Sequence, residues 1–228
     1  MTFPAIDSTA VRWSVPRESV ATVLTERPLL IMMHGYGSNE GDLFSLGQYM
    51  PEQFVIASLR APLQAGPGNA WFAIDYDAEN DTLRRDINEV TASTHSLIEW
   101  IDELDAEVGG LGDVALLGFS QGGVMLTQLF RHQPERFIAG VFFASFAVAD
   151  TTEGGAERDQ ALADVMPPLF WGRDPQDPVI TPNLIDFTRR WLPEHFDLEA
   201  KLYAHVGHSL SLEEIEDAAA FLRRNVTG

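Results

Sequence analysis

The segment Gly118-Phe119-Ser120-Gln121-Gly122 sets one glycine two residues before a serine and another two residues after it. It follows the apolar run Val114-Ala115-Leu116-Leu117 directly and precedes Val124-Met125-Leu126, which reads as a helix. A serine on a sharp strand-to-helix turn exposes its hydroxyl, and strand and helix come close enough only if those flanking positions are nearly free of side chain. The pattern is short, and in many proteins it is only a turn. Two downstream features give it chemical weight: Asp177 in Asp177-Pro178-Val179-Ile180, and His208 in Gly207-His208-Ser209. A serine hydroxyl, a histidine able to take its proton and a carboxylate able to orient that histidine are the parts of a nucleophilic acyl-transfer site. Their order along the chain is Ser, acid, His.

Each partner has rivals. Of six histidines, His95 and His132 lie in helical patterns and His195 follows Pro193-Glu194 near a helix end, so all three are expected at the periphery. His34 is expected to orient its own loop. His208 is preferred over His205 because Gly207 permits a sharply turned loop, placed between the last strand and the last helix. A metal at His205-x-x-His208 would need further ligands that the spacing does not supply. For the acid, Asp174 and Asp177 both follow the strand ending at Trp171-Gly172, and either could reach the loop of His208; otherwise each is a solvated turn acid. His34-Gly35-Tyr36-Gly37 follows the apolar run Leu29 to Met33 and can aim a backbone N–H, that of Tyr36, at a developing oxyanion beside the N–H of Gln121. A dinucleotide-binding loop is a poor alternative, since Gly35, Gly37 and Gly41 are one residue off the required spacing.

These residues need a scaffold that gathers strand ends. Short apolar runs recur at Leu29–Met33, Phe54–Leu59, Val114–Phe119, Phe137–Phe143, Pro168–Gly172 and Leu198–Val206. Several are apolar at nearly every position, as expected for a mostly parallel sheet covered on both faces. Between them, Ile87, Val90, Leu97, Ile101, Leu104 and Val108 recur at helical spacing and stop at Gly109-Gly110. A last helix carries Leu212, Ile215, Ala219 and Leu222 on one face, with Ser211 and Glu214 spaced as a capping box. Alternating strands and helices predict an α/β fold, a mostly parallel central sheet flanked by helices. Pro62–Asp81 and Ala147–Pro168 read as irregular loops after strands, too short for a full cap domain. Trp71 and Phe72 in the first either wall an acyl pocket or pin the loop to the core.

Composition narrows the function classes. The 228 residues, 45% of them hydrophobic, suit one domain over 1–228 with a sizeable core. The absence of cysteine removes disulfides, thiolate metal sites and cysteine nucleophiles. A formal charge of −19 repels nucleic acid and anionic membrane surfaces. The first residues lack a secretion signal and no stretch is long and apolar enough to span a bilayer, so a cytoplasmic location is expected. Asn80-Asp81-Thr82 and Asn225-Val226-Thr227 match the glycosylation acceptor pattern and, without a signal, are read as chance.

Taken together, these motifs resemble the phospholipase/carboxylesterase family of α/β hydrolases, which includes the acyl-protein thioesterases. The anchors are His34-Gly35-Tyr36-Gly37-Ser38-Asn39-Glu40 with Asp42-Leu43, then Gly118-Phe119-Ser120-Gln121-Gly122-Gly123, then Asp177-Pro178-Val179-Ile180, then Gly207-His208-Ser209. The resemblance implies the α/β-hydrolase fold with little or no cap, Ser120, Asp177 and His208 as a triad, and Tyr36 and Gln121 as oxyanion donors. Two departures accompany it. Trp171-Gly172 stands where the family usually has His-Gly before its acid, and the acid, if it is Asp177, stands two residues further on than usual. Ala144-Ser145-Phe146 replaces a small, glycine-containing sequence, so Phe146 is expected to narrow the acyl groove together with Trp71 and Phe72.

The reading that follows is a serine carboxylesterase for short to medium acyl esters, working without metal or organic cofactor on small-molecule esters. Acyl-protein thioesterase or lysophospholipase activity would use the same residues. A non-catalytic binding protein on this fold would not need elbow, base and acid together.

Overall fold

The computed structural model describes residues 3–77 and 82–226. Chain order runs β1 (Arg12–Trp13), α1 (Val20–Val23), β2 (Leu29–Met33), β3 (Val55–Leu59), β4 (Leu63–Ala65), β5 (Gly68–Ala70), β6 (Asp75–Asp77), β7 (Thr82–Arg84), α2 (Ile87–Val108), β8 (Val114–Phe119), α3 (Gln121–His132), β9 (Ala139–Phe143), α4 (Gly155–Val165), β10 (Pro168–Arg173), α5 (Pro182–His195), β11 (Asp197–Leu202) and α6 (Leu212–Asn225). Among the described residues seven strands form one sheet in the order β1-β3-β2-β8-β9-β10-β11. Every pairing in it is parallel except β1 with β3.

The apolar runs become buried strands because each must satisfy two faces. Ile31 and Met33 of β2 join the core under α2, α3 and α5, while Leu30 and Met32 join the core under α6. In β8, Leu116 faces the first core and Ala115 and Leu117 the second. The α2 apolar stripe packs inward at Val90, Leu97, Ile101 and Leu104. Gly109 ends that helix at φ 84°, donating its N–H to Asp105 O, a left-handed cap that suits glycine.

Several expectations change. Pro62–Asp81 is not featureless: the β4–β5 hairpin and strand β6 lie within it. Ala147–Pro168 carries α4, whose weakly amphipathic sequence hid it. Strand boundaries contract by one or two residues at Phe54 and Phe137, and β11 ends at Leu202 rather than Val206. At the start of α6, Ser211 Oγ accepts from Glu214 N–H at 3.1 Å, which is half of a capping box. The other half is absent, because the Glu214 carboxyl is fully buried without a hydrogen-bond partner and lies against Gly172, where a Cβ would stand 2.4 Å from its Oε1. Asn80 and Asp81 of one glycosylation pattern and Thr227 of the other lie outside the described residues.

Candidate active site

Strand ends and glycines build the elbow. Ser120 sits between β8 and α3 at φ 52° and ψ −117°, a strained conformation for a residue with a side chain. Its N–H is held by Phe143 O at 2.9 Å and its carbonyl by Ser145 Oγ at 2.6 Å. The neighbouring glycines are obligatory. A Cβ on Gly118 would lie 2.4 Å from Gly122 O, and one on Gly122 would lie 1.9 Å from Met33 O.

His208 stands over the serine with its Nε2 3.0 Å from Ser120 Oγ, while its Nδ1 lies 2.7 Å from Asp177 Oδ2. With Nδ1–H donating to the carboxylate, Nε2 is free to accept from the serine hydroxyl. Phe119 backs the imidazole at 5.1 Å between ring centroids. Burial works against the charged form of Asp177, but the bonds from His208 and from the N–H groups of Val179 and Ile180 outweigh it and hold the carboxyl below the ordinary aspartate value.

Asp174, the rival acid, does not touch His208 and is not a solvated turn residue. It is 2% exposed and accepts three backbone N–H groups: Gln176 at 2.7 Å on Oδ1, Val206 at 2.6 Å and Gly207 at 2.7 Å on Oδ2. His205 and Gly207, both at φ 68°, bend the loop so that these amides converge on one oxygen. The same bonds, Gly207 first and then Gln176, hold its carboxyl below the ordinary value. Asp174 thus fastens the loop of His208 to the end of β10.

The loop after β2 lies against the elbow. A Cβ on Gly35 would meet the Phe119 ring at 3.1 Å and Ser120 Cβ at 3.4 Å, which brings Tyr36 next to the serine. Gln121 opens α3, so its N–H has no intrahelical acceptor. His34 is buried and bridges its own loop to the next strand, its Nδ1 2.7 Å from Gly35 O and its Nε2 accepting from Ala61 N–H at 3.1 Å. Burial lowers its pKa, as suits a neutral structural imidazole.

Trp71 and Phe72 are both 0% exposed and belong to the core, so they pin the loop and present no open acyl wall. The Trp71 indole donates to His34 O at 2.8 Å and its backbone N–H to Gln121 Oε1 at 2.8 Å, while Gln121 Nε2 donates to Phe72 O at 2.7 Å. Phe146 is likewise buried, at 5% exposure, beneath the Arg85 guanidinium. Among the other histidines, His95 is exposed and His132 half-buried, but His195 is buried and stacked on Trp191, contrary to its expected peripheral place. Among the described residues no group of three or more His, Asp or Glu side chains could hold a metal.

A sequence model of the family described as Phospholipase/Carboxylesterase matches residues 18–226. The chain belongs to the phospholipase/carboxylesterase family. Acyl-protein thioesterase 1 of Kluyveromyces lactis is 24% identical over 210 residues, covering 86% of this chain and 91% of that protein. Esterase YpfH of Escherichia coli is 28% identical over 112 residues, 46% of this chain and 47% of that one. Among solved structures, the Bacillus cereus carboxylesterase superposes with a TM-score of 0.76 at 18% identity, over 95% of this chain and 94% of that chain. The fold is therefore the α/β-hydrolase fold, and the chain is a hydrolase of the carboxylesterase/thioesterase type. Among the described residues no helix is long and apolar enough to cross a membrane.

One feature of this phospholipase/carboxylesterase family member escaped sequence reading. Beside His208 lies a cavity of about 220 Å³ lined by Asp42, Leu43, Leu46, Phe119 and Leu210. Leu43 and Leu46 belong to a short 3₁₀ turn, Leu43–Gln48, that has no helical periodicity to flag it.

Proposed function

We propose that this chain is a single-domain, cytoplasmic serine carboxylesterase that cleaves short to medium acyl esters through Ser120, His208 and Asp177. The observation that carries this reading is the continuous relay Ser120 Oγ to His208 Nε2 at 3.0 Å and His208 Nδ1 to Asp177 Oδ2 at 2.7 Å, on a strained elbow. In the proposed cycle His208 takes the hydroxyl proton as Ser120 Oγ adds to the ester carbonyl carbon. The oxyanion is held by the N–H groups of Tyr36 and Gln121. The carbon–oxygen bond to the alcohol then breaks as His208 returns the proton to the departing oxygen. Water, deprotonated by the same imidazole, releases the acid from Ser120. Asp177, kept ionised, orients His208 and stabilises the imidazolium.

Thioester and lysophospholipid hydrolysis would use the same relay. Ester chemistry with short to medium acyl groups is favoured because Trp71, Phe72 and Phe146 are packed into the core and leave no long apolar surface there for a fatty chain. Ser120→Ala should retain the fold, lose labelling by a fluorophosphonate, and lose nitrophenyl-ester hydrolysis by about a thousandfold or more. Full activity in that variant sinks the assignment. Palmitoyl thioesters turning over far better than any short ester would replace it with the thioesterase reading.

A further inference from the structure

We propose that the cavity beside His208 receives the alcohol of the ester, and that the enzyme selects substrates with a small, neutral, apolar leaving group of up to about six carbons. This rests on the serine-esterase reading and concerns the part of the substrate which that reading leaves open.

The argument is one of proton geography. His208 Nε2, 3.0 Å from Ser120 Oγ, must hand its proton to the departing oxygen, so the leaving group has to lie on the His208 side of the serine. The cavity lies there, lined by His208, Ser209 and Leu210 of the histidine loop together with Asp42, Leu43, Leu46 and Phe119. At about 220 Å³ it falls below the roughly 300 Å³ at which sites for drug-sized ligands begin, so its occupant is small. Leu43, Leu46, Phe119 and Leu210 supply its apolar lining, and Asp42, His208 and Ser209 its polar side. The charged contributor is Asp42, whose Oδ2 accepts from Ser38 Oγ at 2.7 Å, and a carboxylate there repels a phosphate-bearing leaving group such as that of a lysophospholipid. After the alcohol departs, the emptied cavity gives water access to the acyl-enzyme from the side where His208 can deprotonate it.

Two matched series separate the sides of the ester: alkyl acetates of growing alcohol, and methyl esters of growing acid. For wild-type enzyme kcat/KM should rise by up to about fourfold per methylene through roughly hexyl acetate and then level off. The acid series should gain less per carbon. In wild-type enzyme acylated from phenyl acetate, added hexanol should also compete with water as acceptor better than methanol at equal concentration, forming hexyl acetate and regenerating free Ser120. Leu46→Trp, which narrows the cavity, should lower the hexyl-to-methyl acetate ratio of kcat/KM at least tenfold and leave the methyl hexanoate-to-methyl acetate ratio in place. A steeper climb in the acid series, or a Leu46→Trp effect on the acid ratio, overturns the proposal by making the cavity an acyl site. Flat alcohol dependence with no preference for hexanol overturns it as well. Failure of the esterase reading looks different: Ser120→Ala stays active, or wild-type enzyme cleaves no ester in either series.

Discussion

Ser120 is held at φ 52° by two hydrogen bonds and by the close approach of α3 to β2, so its backbone strain is imposed by packing. Ser120→Gly should therefore be inactive and yet more stable than wild type by about 1 kcal/mol, measured by urea unfolding. Equal or lower stability would show that the elbow is not strained. The two aspartates should separate along a different line. Asp177→Asn removes the carboxylate bonded to His208 Nδ1 and, if the proposed triad is right, should lower kcat by about a thousandfold or more with modest loss of stability. Asp174→Asn turns an acceptor of three N–H groups partly into a donor. It should cost about 2 kcal/mol of stability, with a smaller loss of kcat through the loosened His208 loop. Kinetics and unfolding on both variants check the ranking, and the reverse ranking would transfer the acid role to Asp174.

At the scale of elements, the contact between α6 and β10 carries a cost. Burial first, and Asp174 nearby, push the Glu214 carboxyl up to about 7 from the ordinary 4.5. A raised folded-state value means that the folded protein holds a proton which the unfolded chain releases. The associated stability is complete below pH 4.5 and is lost as pH rises through 7. Glu214→Gln should therefore gain on wild type by on the order of 3 kcal/mol between pH 4 and pH 8. Unfolding free energies of both proteins across that range test this, and a gap independent of pH would show that Glu214 ionises without penalty. The β4–β5 hairpin has the opposite character. Gly37 N–H donates to Asn69 O at 2.8 Å and Asn69 N–H to Ser38 O at 2.7 Å, so the hairpin braces the loop that carries Tyr36.

For the molecule as a whole, a formal charge of −19 against a core divided between the two faces of one sheet sets the balance of stability. Ion pairs such as Arg17 with Glu107 and Arg60 with Glu40 offset a fraction of the acidic excess. Self-repulsion on this scale destabilises the compact state and is screened once the Debye length falls below about 10 Å. Tm should accordingly rise by several degrees between 10 mM and 0.5 M sodium chloride. A flat or falling Tm would show that the acidic residues are locally compensated.

Much of the protein could be read from its residues because those signals are local. The buried strands announce themselves as runs such as Leu29–Met33 and Val114–Phe119, α2 by its apolar spacing, and the elbow by glycines where any Cβ would strike backbone. Family membership followed from motifs that are each contiguous. Tertiary structure decided what depends on residues distant in sequence. Asp174 and Asp177 are three positions apart and chemically alike, and only the path of the 205–208 loop determines which carboxylate meets His208 and which binds its backbone. Trp71 and Phe72 could wall a groove or pin their loop as far as sequence goes, and it is the bonds of the Gln121 amide to Trp71 N–H and Phe72 O, with that of the Trp71 indole to His34 O, that fix both inward. The cavity beside His208 belongs to no segment at all. Leu43 and Leu210 lie far apart along the chain and meet only because parallel strands deliver all their carboxyl ends to the same edge of the sheet.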